Sequence, residues 1–184
     1  MNQSLRRLLN TPVFQIDANL INARQKLPEV NQLEKWANED VILINMSSIA
    51  RSETLAGNSE LRAKKANTHI FTVSEPVNEG DPLYKQIELC LFPDGAKNEN
   101  QKNDVLIVCE ASKYQAILVT NDGASKSQPG GILGNRAKFE HLVRVMSPKE
   151  ATEFIAVRIQ ERDQYARELV RMNGNSLPFW IGID

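Results

Sequence analysis

Short, continuously apolar runs recur along the chain and alternate with stretches whose apolar residues fall at helical spacing. The apolar runs cover residues 13–16, 41–44, 116–120 and 142–146, and each predicts a buried strand. The helical stretches cover residues 31–39, 48–66, 81–91 and 104–114, with polar loops expected at 92–103 and 124–134. Strands without internal alternation are typical of a sheet covered on both faces. The pattern therefore predicts an α/β fold, with three layers (α/β/α) and a mostly parallel central sheet.

The last part of the chain predicts one long helix followed by an apolar tail. Ser147-Pro148-Lys149-Glu150 forms a capping box with proline at the first helical position, and Asn173-Gly174 supplies a stop. At 1.5 Å per residue such a helix would be roughly 35–40 Å long. Residues 177–183 are again mostly apolar, so this end either folds back or docks on a partner. We therefore divide the chain into a domain at 1–147 and a helix with its tail at 148–184.

Composition and charge place the chain among globular proteins that carry no large basic surface. There are 22 Lys and Arg against 23 Asp and Glu, so the formal net charge is −1. Hydrophobic residues make up 41% of the chain, which excludes a disordered, collagen-like or membrane-bundle protein. The chain contains no run of eighteen apolar residues, so no transmembrane helix is predicted. The first residues contain no cleavage site of small residues, so we expect a mature, cytoplasmic protein without a membrane association.

Cysteine and histidine offer little for metal binding or redox chemistry. Cys90 and Cys109 both lie in apolar helical runs, where two buried thiols are expected. With only two histidines in the chain, a zinc site of the Cys/His kind has almost no ligands. Any metal ion would therefore be held by carboxylates.

Four acids are expected to meet at one edge of the sheet. Asp17 and Asp122 each follow a predicted strand, and Asp104 is expected to begin the helix before the third strand. Glu53 lies early in the helix after the second strand. Ligands of parallel α/β sheets bind beyond the carboxyl ends of the strands. Close carboxylates repel one another unless a cation neutralises them, and hard oxygen ligands select Mg²⁺ or Mn²⁺.

Each acid also has an ordinary structural interpretation when it is taken alone. Asp17 can cap a turn, Glu53 can be a solvated helix residue, and Asp104 can be a helix N-cap. Asp122, followed by glycine, can belong to a plain turn. Taken together, these interpretations leave the meeting of the acids at one edge unexplained.

Several of these segments resemble the PIN-domain (PilT N-terminus-like) ribonucleases. Asp17-Ala18-Asn19 after an apolar strand resembles the opening motif of the family, and Thr120-Asn121-Asp122 resembles its third acidic motif. Glu53 matches the glutamate of the family by its place in the order. The matching segments are residues 14–20, 103–111, 118–122, 131–139 and 143–148, and the likeness spans about residues 12–150.

The resemblance implies an Mg²⁺- or Mn²⁺-dependent endoribonuclease, either toxin-like or RNA-processing. The catalytic set it implies is Asp17, Glu53, Asp104 and Asp122, with Asp17, Asp104 and Asp122 as metal ligands. The residues expected to bind RNA or to shape the site are Asn19, Arg51, Thr120, Asn121, Lys126 and Arg136. The choice of RNA over DNA comes from the resemblance alone. An antitoxin-like or other protein partner, and a homodimer through the tail helix, are both compatible with the sequence.

The sequence also departs from the family, and a second function class stays open. Many PIN domains carry a further acid shortly after the third motif, whereas residues 123–131 contain none. Residues 67–103 form a longer region than in the small toxin members. The alternative is a PIN-like module with weak or absent catalysis that acts through a protein partner. A phosphoryl-transfer enzyme with an aspartate nucleophile is disfavoured, because its motif needs Asp at position 19, where this chain has Asn.

Overall fold

A four-stranded parallel sheet forms the centre of the molecule. The computed structural model describes residues 6–8, 11–23, 27–56, 77–123, 130–174 and 176–184, without the side chains of residues 22, 23 and 54–56. The strands are β1 (Phe14–Ile16), β2 (Ile44–Met46), β3 (Ile117–Val119) and β4 (Val145–Met146). Their spatial order is β2-β1-β3-β4, and every neighbouring pair is parallel. The carboxyl ends of all four strands therefore point to the same edge.

Helices cover both faces of this sheet. They are α1 (Ala18–Ala23), α2 (Pro28–Asn38), α3 (Ser48–Ala56), α4 (Pro82–Leu91), α5 (Glu99–Lys113), α6 (Gly131–Asn135) and α7 (Pro148–Asn173). A 3₁₀ turn, Arg136–Lys138, follows α6. Among the described residues, none of these helices combines the length and the apolarity that a membrane span requires.

Two apolar clusters, one on each face, hold the layers together. Phe14 and Ile16 of β1 belong to one cluster, which also contains Leu33 of α2 and Ile155 of α7. Leu118 of β3 belongs to the other cluster, with residues of α4, α5 and α6. Because side chains alternate between the faces of a strand, continuous apolar strands supply both clusters. The structure thus confirms the predicted fold class: three layers (α/β/α) around a parallel sheet, with a long C-terminal helix.

The prediction that Asp104 begins a helix is wrong. Helix α5 begins at Glu99, and its N-cap is Asn98, whose side chain accepts a hydrogen bond from the Gln101 backbone N–H at 3.0 Å. The first turns of α5 are polar and face solvent, so apolar periodicity starts only at Val105. Asp104 is therefore an interior helix residue and not its N-terminal cap.

Other element boundaries also differ from the sequence predictions; strand β4, for example, begins at Val145 and not at 142. Strand β2 lies at Ile44–Met46, later than 41–44, because the Val41 N–H instead donates to Trp36 at the end of α2. The loop expected at 124–134 contains the short helix α6. Helix α3 is described to Ala56, and the rest of the helix expected at 48–66 lies outside the described residues.

The C-terminal tail folds back onto the domain. Helix α7 has the predicted capping box and ends at Gly174 with φ of 67°. Trp180 is only 2% exposed and stacks 4.4 Å from the Arg162 guanidinium. The Asp184 carboxylate accepts hydrogen bonds from Arg162 at 2.8 Å and from Arg6 Nε at 2.9 Å. Trp180 and Asp184 thus fold back, whereas Leu177, Phe179 and Ile183 stay more than half exposed.

The two cysteines differ in burial. Cys109 is buried as expected, whereas Cys90 is half-buried, and both are free thiols. The Cys90 thiol donates to the Lys138 backbone oxygen at 3.6 Å, beside the 3₁₀ turn.

Candidate active site

Asp17 lies directly after β1 and is held by two side-chain donors. Its carboxylate is buried, with the residue 6% exposed. The Thr120 hydroxyl donates to Asp17 Oδ2 at 2.6 Å, and Asn19 Nδ2 donates to the same oxygen at 2.8 Å. The Asp17 backbone N–H also donates to the Val119 carbonyl at 3.1 Å, which joins the ends of β1 and β3. These contacts fix the carboxylate at the edge of the sheet.

Thr120 links Asp17 to Asp122 through its hydroxyl group. While this hydroxyl donates to Asp17, it accepts a hydrogen bond from the Asp122 backbone N–H at 3.0 Å. Asn19 Nδ2 lies 3.1 Å from the same hydroxyl, and Asn19 Oδ1 accepts from the Asn121 backbone N–H at 3.4 Å. The segments after β1 and β3 are therefore connected by one small polar network.

Asp122 packs against the start of α6, and a glycine allows the two segments to come this close. Its Oδ2 accepts the Ile132 backbone N–H at 2.8 Å, and its carbonyl accepts the Leu133 N–H at 3.0 Å. Gly131 has φ of 54°, and a Cβ there would lie 2.6 Å from Asp122 Oδ2 and from the Asp122 carbonyl oxygen. The sequence analysis did not connect Gly131, in the loop expected at 124–134, with Asp122, nine residues earlier.

Asp104 and Glu53 reach the same edge from two helices. Asp104 is a half-buried residue of α5, and Glu53 is an exposed residue of α3. Asn103, the residue before Asp104, donates from Nδ2 to Glu53 Oε1 at 2.8 Å. This contact brings the side chain of Glu53 against α5.

A fifth acidic residue, which the sequence analysis did not identify, holds the start of α3. Glu110 of α5 is completely buried and accepts hydrogen bonds from the Ser48 backbone N–H at 3.0 Å and from the Ser48 hydroxyl at 2.7 Å. A buried carboxylate at the first turn of a helix satisfies N–H groups that otherwise lack partners. The available signal was a glutamate within the apolar run 105–111.

The charges of Glu53 and Asp122 reach both Asp17 and Asp104. Burial raises the pKa of Asp17 to about 6, against the opposing hydrogen bonds of Thr120 and Asn19, and the charges of Glu53 and Asp122 add to the rise. Burial raises the pKa of Asp104 to about 7, and the charges of Asp122, Asp17 and Glu53 raise it further. Between described residues, no ion pair relieves this repulsion at any of the four acids.

The donor set suits a hard divalent cation, although it is not closed around one. All four groups offer carboxylate oxygens, the ligands that Mg²⁺ and Mn²⁺ prefer. Within the described part of the chain, no three His, Cys, Asp or Glu side chains converge closely enough to hold an ion as they stand. Closing the site would require rotation of side chains such as Asp104, whose carboxylate accepts no hydrogen bond from another described residue. Repulsion between the ionised carboxylates favours the arrival of a cation.

The basic residues expected to bind substrate lie in different settings. Arg136 makes a two-pronged ion pair with Glu150 at 2.7 and 2.8 Å, so its guanidinium already has an anionic partner. Arg51 is half-buried on α3, and its Nε is buried without a hydrogen-bond partner among the described residues. Lys126 lies outside the described residues. The structure therefore brings Asn19, Thr120 and Asn121 next to the acids but ties Arg136 to the capping box of α7.

The raised pKa values predict that the metal-free protein loses stability as pH rises from about 4 to about 7. Unfolded Asp has a pKa of about 3.9. The pKa values of about 6 for Asp17 and about 7 for Asp104 therefore mean that the folded state binds more protons in this window. Glu150 has its pKa lowered to about 2, mainly by Arg136, and so titrates below the window.

Thermal unfolding in EDTA at pH 5 and pH 8 measures this effect. We expect the lower melting temperature at pH 8, with the decrease complete just above pH 7. A melting temperature that is equal or higher at pH 8 would contradict the raised pKa values at the acidic edge.

Comparisons with known proteins return matches only among solved structures. A scan of protein-family models finds no match, and a search of curated proteins finds none. One match is a chain in the crystal structure of VapBC2 from Rickettsia felis bound to a DNA fragment from its promoter. The two chains are 20% identical in sequence, with a TM-score of 0.49, and the match covers 73% of this chain and 98% of that one. VapBC-1 from nontypeable Haemophilus influenzae is 17% identical, with a TM-score of 0.48, covering 74% and 98% of the two chains. FitAB bound to the IR36 DNA fragment is 16% identical, with a TM-score of 0.43, covering 73% and 94%.

Proposed function

We propose that this chain is a PIN-domain nuclease, a divalent-metal-dependent endoribonuclease that hydrolyses RNA phosphodiester bonds. The observation that carries the proposal is the placement of Asp17 and Asp122 at the carboxyl edge of a parallel sheet, where their charges and that of Glu53 also act on Asp104. Substrates of such sheets bind at this edge. The motifs that resemble PIN-domain ribonucleases contain the same residues, so the geometry and the resemblance support one function.

In this proposal each acidic residue has a role. Asp17, Asp104 and Asp122 would hold Mg²⁺ or Mn²⁺, which when bound polarises the scissile phosphate and lowers the pKa of a water molecule. Glu53, the more exposed carboxylate, would orient the attacking water. Thr120 fixes Asp17 and the Asp122 backbone in one network, so these two ligands would be placed before substrate arrives.

Contacts with RNA would come from the polar and basic residues around the acids. Asn121 is exposed at the edge and would offer its side-chain amide to a phosphate or sugar, whereas the Asn19 amide, which already contacts Asp17 and Thr120, would shape the site. Arg51 and Lys126 would contact neighbouring phosphates, as would Arg136 if phosphate replaced its partner Glu150. With a net charge of −1, the chain must bind RNA through such a local set.

A protein partner is part of the proposal as well. We assign residues 1–147 to the nuclease domain. Residues 148–184 would carry the surface for an antitoxin-like partner or for a second copy of the chain. Both would act in the cytoplasm. Tyr165, Leu169 and Met172 are exposed on one face of α7, which supports such a surface. If the acidic edge proves inactive, this exposed face favours the binding-module alternative.

Cleavage of a 5′-labelled RNA pool tests the proposed activity. The wild-type protein is incubated with Mn²⁺, with Mg²⁺ or with EDTA, and single-stranded DNA of matched sequence serves as the second substrate. We expect internal cleavage of RNA with metal, none with EDTA, and weaker or no cleavage of DNA. A folded protein that cleaves neither substrate with either metal, and whose melting temperature does not respond to Mn²⁺, would overturn the proposal and favour the binding module.

A further inference from the structure

We propose that Asn103 is a positioning residue for Glu53, an inference that rests on the proposed function. Asn103 lies on α5 immediately before Asp104, and its Nδ2 donates to Glu53 Oε1 at 2.8 Å. Asn103 thus connects α5, the helix that carries Asp104, with the side chain of Glu53. Glu53 comes from a different element, α3, so its direction depends on a contact of this kind.

The need for such a contact follows from the exposure of Glu53. A glutamate side chain on a helix surface has several accessible rotamers, and fixing it costs conformational entropy. Asn103 supplies a neutral donor that selects one orientation and engages one carboxylate oxygen, Oε1. Because this donor is uncharged, it orients the Glu53 carboxylate without neutralising its negative charge.

Attachment of α3 to α5 does not by itself require this hydrogen bond. Glu110 already binds the backbone N–H and the hydroxyl of Ser48 at the start of α3, and it does so in the core. The bond between Asn103 and Glu53 lies at the surface, where a hydrogen bond contributes little to stability because water competes for both groups. Its loss should therefore affect catalysis more than folding.

A double-mutant cycle of Asn103→Ala and Glu53→Ala separates positioning from structure. We expect Asn103→Ala to lower kcat about tenfold, as for other residues that orient active-site groups, with KM and the melting temperature nearly unchanged. In the Glu53→Ala background, Asn103→Ala should cause no further loss. Asn103→Asp keeps the shape but cannot donate, and we expect it to lose at least as much activity as the alanine variant.

Ser52→Ala is the matched control for this cycle. Ser52 is exposed on α3 beside Glu53, and its hydroxyl donates to the Ser48 carbonyl of the same helix at 3.0 Å. We expect Ser52→Ala to retain wild-type kcat. An equal loss from Asn103→Ala in both the wild-type and the Glu53→Ala backgrounds, or no loss in either, would overturn the positioning role.

A spectroscopic readout tests the contact independently of activity. The ¹H–¹⁵N signals of the Asn103 side-chain amide should shift in Glu53→Ala and stay in place in Ser52→Ala. Unchanged signals in Glu53→Ala would overturn the inference even in an active enzyme. A wild type without metal-dependent cleavage would instead overturn the proposed function, so the two failures are distinguishable.

Discussion

Replacing Asp104 with asparagine is expected to abolish metal-dependent cleavage and at the same time to stabilise the metal-free protein at pH 8. Burial and the charges of Asp122, Asp17 and Glu53 raise the pKa of Asp104 to about 7, so its ionised form is disfavoured in the folded state. The asparagine side chain has nearly the same size and removes that charge. It also removes one of the proposed metal ligands, and metal assistance is worth several kcal/mol.

The expected magnitudes follow from these two effects. Each 1.36 kcal/mol of lost transition-state stabilisation is a factor of ten, so cleavage should fall by about 10²-fold or more. The melting temperature in EDTA at pH 8 should rise by about 2–4 °C for each kcal/mol of relieved repulsion. The difference should shrink as pH falls and vanish only below about pH 4, where Asp104 is protonated in the folded and in the unfolded state.

Glu99→Gln is the matched control for Asp104→Asn. Glu99 is an acid on the same helix, but its side chain is 83% exposed and pairs with Lys102 at 3.7 Å. We expect this variant to keep both activity and melting temperature. If Asp104→Asn retains more than a tenth of the wild-type cleavage, Asp104 is not a metal ligand; if it lowers the melting temperature at pH 8, the electrostatic argument is wrong.

Replacing Gly131 with alanine is expected to displace Asp122 and so to reduce both stability and cleavage. Position 131 has φ of 54°, and the new Cβ would lie 2.6 Å from the Asp122 carbonyl oxygen and from its Oδ2. The left-handed conformation alone costs a non-glycine residue roughly 1–2 kcal/mol. The clash adds to this cost, because the backbone of Asp122 is held by Leu133. We expect a loss of about 2 kcal/mol or more in the free energy of unfolding, from denaturant titration.

Gly134→Ala provides the comparison for Gly131→Ala within the same short helix. In the described part of the chain, a Cβ at Gly134 meets the Gly123 carbonyl oxygen at an ordinary 3.9 Å and no other atom outside its own helix. This variant should therefore keep wild-type stability and cleavage. Equal effects of the two substitutions would show that the position of Asp122 against α6 does not depend on glycine at position 131.

Local sequence patterns were sufficient to predict the fold class. Apolar strands that lack alternation require cover on both faces, and the capping box at Ser147 marks the start of α7, as the structure has it. The start of α5 could not be predicted in the same way. Asn98 caps a first turn that is polar because it faces solvent, so the helix begins before its apolar periodicity does.

The candidate site was predictable at the level of its acids, but their surroundings were not. Asp17 and Asp122 follow strands, and parallel strands bring their carboxyl ends to one edge. The supporting contacts join residues that are far apart in sequence: Glu110 with Ser48, and Asn103 with Glu53. No spacing rule relates such pairs, because the packing of α3 on α5 determines which side chains meet.

Calorimetric titration of Mn²⁺ into the metal-free protein at pH 8 tests the central claim most directly, namely that the acidic edge binds a divalent cation. We predict a saturable binding isotherm for the wild type and for Glu99→Gln, with the heat of binding lost in Asp104→Asn and in Asp122→Asn. Binding that survives in both aspartate variants, or its absence from the folded wild type, would contradict the claim.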